Sequence, residues 1–425
     1  MVLVLFFLPL AFVLSAEASR VLELSDKFLE IRKDSGHWLV MFYAPWCGHC
    51  KRLEPVYAHV AQALYRTSIN VGKVDCTRFS SLATEFSVRS FPTIKYIRDT
   101  EHQTFTGDRT KEEIVSFALR MAGPPIQDIK QSEKLQSLIM SNQLFFLYIG
   151  EKEGSLWDSY YYGASKLQPY SFFYAANVGV AKLYSNASQL PSLSVYKEGK
   201  QYTYIDTIIE SQADFATINE SVYKWLNEER FETFQKVTRG NINQILQTKK
   251  YIVMAVVEEN KLFQISKEME EFRDRIKAIT LKKRDKYHKH FQFGWIGSPE
   301  LANSIAMSVL PLPYLLVLNS TTNHHYIPED EPSQLTEEAI DLFLEQIFNQ
   351  SAPAYGGNSL PVNLYRTYFE ARTTLGEMWW GNPVLTTLLF GLPLGFLSLI
   401  IYSVCCADIM DAEEEEEQLL HKKEE

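Results

Sequence analysis

Cysteine is scarce in this 425-residue chain, with five residues at Cys47, Cys50, Cys76, Cys405 and Cys406. So few exclude a disulfide scaffold, and after Cys47, Cys50 and His49 nothing is placed to complete a four-ligand zinc site. A basic excess is missing too: the formal net charge is −10. Residues 407–425 hold nine acidic residues against Lys422 and Lys423, and so supply about −7 of that charge. The rest is near neutral and makes no electrostatic case for nucleic acid. Charge of either sign is absent between Glu377 and Asp408.

That gap contains "PVLTTLLFGLPLGFLSLIIYSVCC", whose 24 residues make about 36 Å of helix against a hydrocarbon core of about 30 Å. Trp379 and Trp380 precede it where an interfacial aromatic belt belongs, so 379–406 reads as a transmembrane helix rather than a buried soluble one. Gly391 and Gly395 form a GxxxG, but Pro393 interrupts it and the motif says little about dimerisation. At the other end, "MVLVLFFLPLAFVLSA" lacks a basic n-region. Its apolar core is nonetheless too short to span comfortably, and the small residues after it mark 1–18 as a signal peptide.

A cleaved leader and one span put 19–378 in a lumen and 407–425 in the cytosol. "HKKEE" closes the chain, with Lys422 and Lys423 resembling the di-lysine signal that returns type I membrane proteins to the endoplasmic reticulum. "EEEEEQLL" resembles an acidic di-leucine sorting motif. Four sequons, at Asn186, Asn219, Asn319 and Asn349, fall on the luminal side as glycosylation candidates. Cys405 and Cys406, at the cytosolic edge, suit S-palmitoylation or ordinary packing equally.

Three internal stretches resemble one another: "SVRSFPTIKYIRD" (87–99), "NASQLPSLSVYKEG" (186–199) and "MSVLPLPYLLVLNS" (307–320). Each is preceded by a buried-strand candidate, at 38–44, 144–150 and 251–257. Strands alternating with amphipathic helices predict an α/β class, and breaks at "GPPIQ", "NEERFETF" and "SAPAYGGNSLPV" set the boundaries. The expected domains are 19–125, 126–230 and 231–352, followed by a juxtamembrane linker at 353–378. A long charged helix at 262–289 ends in "KKRDKYHKH", which reads as a solvated helix end before it reads as a binding patch.

Cys47 and Cys50 follow a strand and open a helix, "CKRLEPVYAHVAQALY", with Leu53, Val56, Val60 and Leu64 at helical spacing. A helix N-terminus favours a thiolate on Cys47, and His49 would add to that by charge or hydrogen bond. Pro55 would kink the helix one turn in. A redox dithiol is what remains once zinc and scaffold are set aside.

"FYAPWCGHCKRLEP", with "VGKVDC" and "SFPTIKY" downstream, resembles the catalytic thioredoxin-like domain of the protein disulfide isomerases. One such domain, then two without a CxxC, a span and a retrieval tail is similar to the thioredoxin-related transmembrane branch of that family. "RDKYHKHFQFG" and "FGLPLGF" extend the likeness over nearly all of the mature chain. The resemblance implies three tandem thioredoxin-like domains followed by one transmembrane helix, and an active site containing Gly48 and His49. In it Cys47 is the attacking thiol and Cys50 the resolving thiol. Pro92 would be the cis-proline that presents backbone to an extended substrate. Arg109 would help ionise Cys50, unless it is only a surface residue at a helix start. Cys76 stands where relatives often have alanine, as an inert buried thiol or a third redox partner. One position departs: Met41 stands where the family places a buried acid that takes the Cys50 proton, although Lys73, the usual partner of that acid, is present.

Two functions follow. One is an endoplasmic-reticulum thiol–disulfide oxidoreductase that oxidises or rearranges disulfides in unfolded or misoxidised secretory proteins. It would be recharged by glutathione or a luminal oxidase, with no metal or organic cofactor. The other is a membrane-tethered chaperone or adaptor with a slow or regulatory pair, which the loss of the acid at Met41 favours.

Overall fold

Residues 20–34, 36–141, 143–181, 190–205, 214–260 and 262–404 are described by the computed structural model. The expected signal peptide, Asn186, Cys405, Cys406 and the tail with Lys422 and Lys423 lie outside them. Two compact units are formed, by 20–254 with 273–297 and by 255–272 with 298–404.

The first sheet is built from β1 (Leu22–Leu24), β2 (His37–Tyr43), β3 (Ile69–Asp75), β4 (Thr93–Arg98) and β5 (Glu101–Thr104), in the order β1-β3-β2-β4-β5. β2 runs parallel to β3 and antiparallel to β4, so it is covered on both edges. Its sequence "HWLVMFY" is apolar almost throughout because both faces are covered too. Helices α1 (Phe28–Asp34), α2 (Gly48–Leu64), α3 (Ser80–Glu85) and α4 (Lys111–Ala122) supply the covers. Leu39 and Met41 face a core with Leu53, Tyr57, Val60 and Leu64 of α2 and Ile114 and Phe117 of α4. Trp38, Val40 and Phe42 face the other core, with Phe28, Leu82 and Phe86. Each such side chain contributes about 1.5–3 kcal/mol by leaving water.

The expected stripe on α2 shifts by one position. Val56 lies at the edge, and Tyr57 takes the deep place because its hydroxyl donates to the carbonyls of Leu39 (2.9 Å) and Gly72 (3.1 Å). A buried hydroxyl needs such acceptors. The helix continues through Pro55.

A second sheet repeats the pattern with β6 (Gln127–Ile129), β7 (Phe145–Ile149), β8 (Phe172–Ala176), β9 (Ser192–Lys197) and β10 (Lys200–Thr203), in the order β6-β8-β7-β9-β10. Here too the central strand, β7, is parallel to one neighbour and antiparallel to the other. The third sheet uses β11 (Phe234–Lys236), β12 (Tyr251–Val256), β13 (Phe291–Ile296), β14 (Tyr314–Asn319), β15 (His324–Tyr326) and β16 (Tyr355–Gly356), in the order β11-β13-β12-β14-β15-β16. Pro92, Pro191 and Pro313 each follow a cis peptide bond and stand directly before β4, β9 and β14. The internal repeats therefore coincide with the same structural position in three sheets, and in the third it is Pro313 rather than Pro311 that fills it.

Two expectations on helices change. The charged helix begins at Lys267, not at 262, because Glu259 and Ile265 form a bridge and Asn260 accepts the N–H groups of Leu262 and Gln264. It stops at Lys282, and Arg284–Tyr287 is a separate turn. The segment expected as a linker holds β16 and a 22-residue helix, Leu360–Gly381, which carries Trp379 and Trp380. Asn382 ends that helix and caps the next, accepting the Leu385 N–H at 3.0 Å. Pro383–Val404 is then the one helix, among the described residues, long and apolar enough to cross a membrane.

Candidate active site

β2 ends at Tyr43, and the chain turns through Ala44, Pro45 and Trp46 into Cys47. Cys47 is the N-cap of α2: its Sγ accepts the backbone N–H of Cys50 at 3.2 Å, satisfying one of the donors a helix start leaves unpaired. A thioether or an apolar side chain could not accept in this way as well as a thiolate does. Both cysteines are buried beside Ala44, with Tyr43 and Phe91 packed against them. Trp46, by contrast, is 73% exposed and meets Phe91 edge-on, so an indole in contact with solvent stands against the ring that packs on the cysteines.

The two thiols differ electrically. Burial disfavours the Cys47 thiolate, but the Cys50 thiol, the N–H groups of Cys50 and His49 and the charge of Arg109 outweigh it, so its pKa lies below the ordinary thiol value. Burial dominates at Cys50, and with the Cys47 sulfur against it the pKa is pushed up to about 11. A thiolate at Cys47 and a thiol at Cys50 is the arrangement in which one sulfur attacks and the other waits.

His49 contributes through its main chain. Its imidazole Nδ1 is 2.8 Å from the Arg52 guanidinium, on the exposed side of α2. Gly48 leaves open space where a side chain would begin. Arg109 donates to the carbonyl of Pro92 at 3.0 Å, tying the loop before α4 to the proline before β4. Its loop is braced in turn by residues that sequence reasoning did not single out: the hydroxyl of Thr238 donates to Asp108 Oδ1 at 2.7 Å, and Gln244 donates to the Thr106 carbonyl. No spacing signal connects residues 130 apart.

Met41 is 1% exposed and packs in the α2-facing core. It lies opposite Lys73 in the β2–β3 register. With no acid there, the Lys73 ammonium goes to Glu54 (2.7 Å) and Glu23 (3.0 Å). Burial works against that charge, but the two carboxylates outweigh it and raise the lysine to about 12. Glu54 follows Cys50 by four residues, which is the one signal that would have pointed to it. Cys76 lies in the opposite core with Phe42, Val74 and Leu82, and burial pushes its thiol up to about 11.

Of the sequons described, Asn349 is exposed just after the helix Glu337–Phe348, and Asn319 ends β14 with its Oδ1 accepting the N–H groups of Thr321 and Thr322. Asn219 lies within the helix Phe215–Glu229, and its Oδ1 is buried. No cluster of three His, Cys, Asp or Glu side chains among the described residues is arranged to hold a metal ion.

A parallel and antiparallel sheet with a dithiol at the mouth of its central strand and helix defines a thiol–disulfide oxidoreductase site of thioredoxin type. Comparison with known proteins agrees. The thioredoxin family matches residues 21–120, and a thioredoxin-like domain family matches 149–346. Protein disulfide-isomerase TMX3 of Xenopus laevis is 34% identical, over 92% of this chain and 84% of its own length. The Homo sapiens protein of that name is 32% identical, over 91% of this chain and 82% of its own. The chain thus belongs to the thioredoxin-related transmembrane branch of the protein disulfide isomerases, and it is a thiol–disulfide oxidoreductase.

Proposed function

We propose that the chain is a single-pass type I protein of the endoplasmic reticulum membrane, with three tandem thioredoxin-like domains in the lumen and the chemistry confined to 19–125. The observation that carries this reading is the asymmetry of the dithiol: Cys47 caps a helix with its pKa held below the ordinary thiol value, and Cys50 beside it is held protonated.

In the reductive direction the Cys47 thiolate attacks a disulfide sulfur of the client and expels the other client sulfur as a thiolate, leaving a mixed disulfide. Cys50 then loses its proton and attacks the Cys47 sulfur. The client leaves with two thiols, and the Cys47–Cys50 disulfide holds the oxidised state. Run backwards, the same steps oxidise a client dithiol, and release to another client thiol before Cys50 acts rearranges disulfides without net redox change. The electrons stay on sulfur, so no organic cofactor is required, and glutathione disulfide or a luminal oxidase would recharge the pair. Pro92 and Phe91 would flank an extended client, with Trp46 as an apolar contact, and Arg109 would lower the cost of ionising Cys50.

The reduction potential of the Cys47–Cys50 pair tests this reading. A value near about −180 mV makes the pair a disulfide donor at the poise of the endoplasmic reticulum, and one near about −270 mV leaves it oxidised and a poor donor.

Met41 favours a second reading, a tethered chaperone or adaptor in which the pair is slow. A buried thioether cannot accept the Cys50 proton, and Lys73 is engaged by Glu54 and Glu23 instead. Cys47→Ala and Cys50→Ala variants separate the two: loss of disulfide exchange with client binding retained supports the adaptor, and loss of both supports the enzyme alone.

A further inference from the structure

Two basic doublets far apart in sequence, Lys249–Lys250 and Lys289–His290, stand at the entries of β12 and β13. The Tyr251 N–H donates to the His290 carbonyl at 3.0 Å and holds them side by side. Across from them the helix Phe215–Glu229 presents Lys224 and Glu228. Together they line a cavity of about 480 Å³ whose walls include the rings of Tyr223 and Tyr251. Its volume falls within the range of ordinary ligand sites.

Charge in this cavity is unbalanced. Lys250 is buried at 4% exposure and is committed, donating to the His288 carbonyl and pairing with Glu228 at 3.0 Å. Lys224, Lys249 and Lys289 are exposed and have no carboxylate within ion-pair distance among the described residues. Glu220 is the other acid on the lining, so the cleft is cationic although the luminal chain as a whole is close to neutral. Lys249 also holds a φ of 58°, in the left-handed region where a glycine would sit with less cost. Backbone strain under a charged, solvent-facing side chain is the kind of feature that collects at binding sites.

We infer that this cleft binds an acidic peptide segment of a partner protein. Three ammonium groups without an ion pair among the described residues, on three separate segments, suit a run of carboxylates, whereas a lone phosphate would want donors converging on one point. The tyrosine rings offer apolar walls for the aliphatic part of glutamate side chains. The cleft shares no residue with the dithiol site, and its ligand would be recruited whatever the redox state of Cys47 and Cys50. The "KYHKH" stretch, which reads in sequence as a solvated helix end, becomes one wall of the cleft once β12 and β13 lie together.

The test uses the full chain in nanodiscs of neutral phosphatidylcholine and a fluorescein-labelled octaglutamate peptide, followed by fluorescence anisotropy. Saturable binding is expected, weakened at least about tenfold in Lys249→Glu/Lys289→Glu and weakened by added salt. Lys224→Glu, on an exposed helix face, should act in the same direction if the double variant fails to fold. Lys267→Glu, exposed and not part of the cavity lining, is the control for diffuse charge. Unfolding midpoint and disulfide exchange should match the parent in every variant used. Equal binding by parent and cleft variants, or an equal loss in the Lys267 control, overturns the proposal. Displacement of the peptide by inorganic phosphate at matched charge also overturns it, in favour of a small-anion site.

Discussion

The hydroxyl of Thr238 reaches Asp108 across 130 residues of sequence and donates a hydrogen bond of 2.7 Å. Asp108 immediately precedes Arg109, and Arg109 holds the carbonyl of Pro92 beside the dithiol. The segment after β11 therefore braces the loop that brings a guanidinium to the cysteines.

Thr238→Val removes that donor, together with the acceptor of the Gly240 and Asn241 N–H groups, while keeping the shape. The expected outcome is a stability loss of about 1–2 kcal/mol, since Asp108 loses one partner and the turn after Thr238 loses its side-chain acceptor. Resolution of a mixed disulfide should slow at the same time, because a looser Arg109 does less to offset the burial of Cys50. Chemical denaturation and a stopped-flow assay with a fluorescent disulfide peptide read the two effects. An unchanged resolution rate would show that Arg109 keeps its place without the brace.

Alkylation should distinguish the cysteines by pH. Reduced protein treated with iodoacetamide is expected to be modified at Cys47 below the pH at which an ordinary thiol ionises, whereas Cys50 should stay protected until close to pH 11. Mass spectrometry of the labelled peptides gives the pH profile of each site. The reverse order would invert the roles assigned to them.

Met41→Glu restores an acid opposite Lys73 in the β2–β3 register. If Cys50 deprotonation limits the release of clients, the mixed disulfide should live about a hundredfold less long in this variant, the lower end of the range for a positioned general base. The gain should fade as the pH falls and the new carboxylate takes up a proton. Stopped-flow release kinetics between acidic and neutral pH decide the point, and an unchanged rate and profile would remove the role assigned to residue 41.

A buried charge cluster predicts the acid behaviour of the chain. Glu229 meets Arg284 at 2.7 Å, Lys197 at 2.9 Å and His288 at 2.7 Å. Burial opposes its ionisation, but the His288 hydrogen bond and the charges of Lys197 and Arg284 prevail and hold the carboxyl well below the usual carboxylate range. A carboxyl depressed on folding stabilises the native state above its unfolded pKa and loses that contribution as the pH falls toward the folded value. The stability supplied by Glu229 should therefore be intact above about pH 5 and decline in strong acid. Glu229→Gln leaves two buried cations without their counter-ion and should cost about 3–5 kcal/mol at neutral pH, measured by urea denaturation across pH. A variant as stable as the parent would show that the cations find other partners.

Glycosylation should follow exposure. Asn349 is solvent-facing and Asn319 keeps its amide nitrogen out of the turn its oxygen organises, so both should carry glycans in protein made in a secretory cell. Asn219, part-buried in a helix, should not. Peptide mass spectrometry after enzymatic deglycosylation reads the occupancy site by site.

Much of this was legible along the chain because the relevant interactions are local. The helix start at Cys47 and Cys50 is encoded by a strand, a turn and an amphipathic stripe within 20 residues or so, and short-range backbone geometry enforces it. The repeated proline before β4, β9 and β14 was visible because a recurring structural unit leaves a recurring sequence pattern. The place of Tyr57 over Val56 was not, since it depends on two carbonyls supplied by β2 and β3.

By itself, then, the amino-acid order determined the dithiol at a helix start, the alternation of strand and helix and the apolar segment at 383–406, all of which follow from periodicity and near-neighbour chemistry. Tertiary structure decided what long-range packing alone can decide: that Lys73 turns to Glu54 and Glu23 where Met41 offers no charge, that Thr238 braces the loop of Arg109, and that Lys249–Lys250 and Lys289–His290 share one cleft. Each of these joins residues by the closure of a sheet or the docking of a helix, and no spacing along the chain announces where such surfaces will meet.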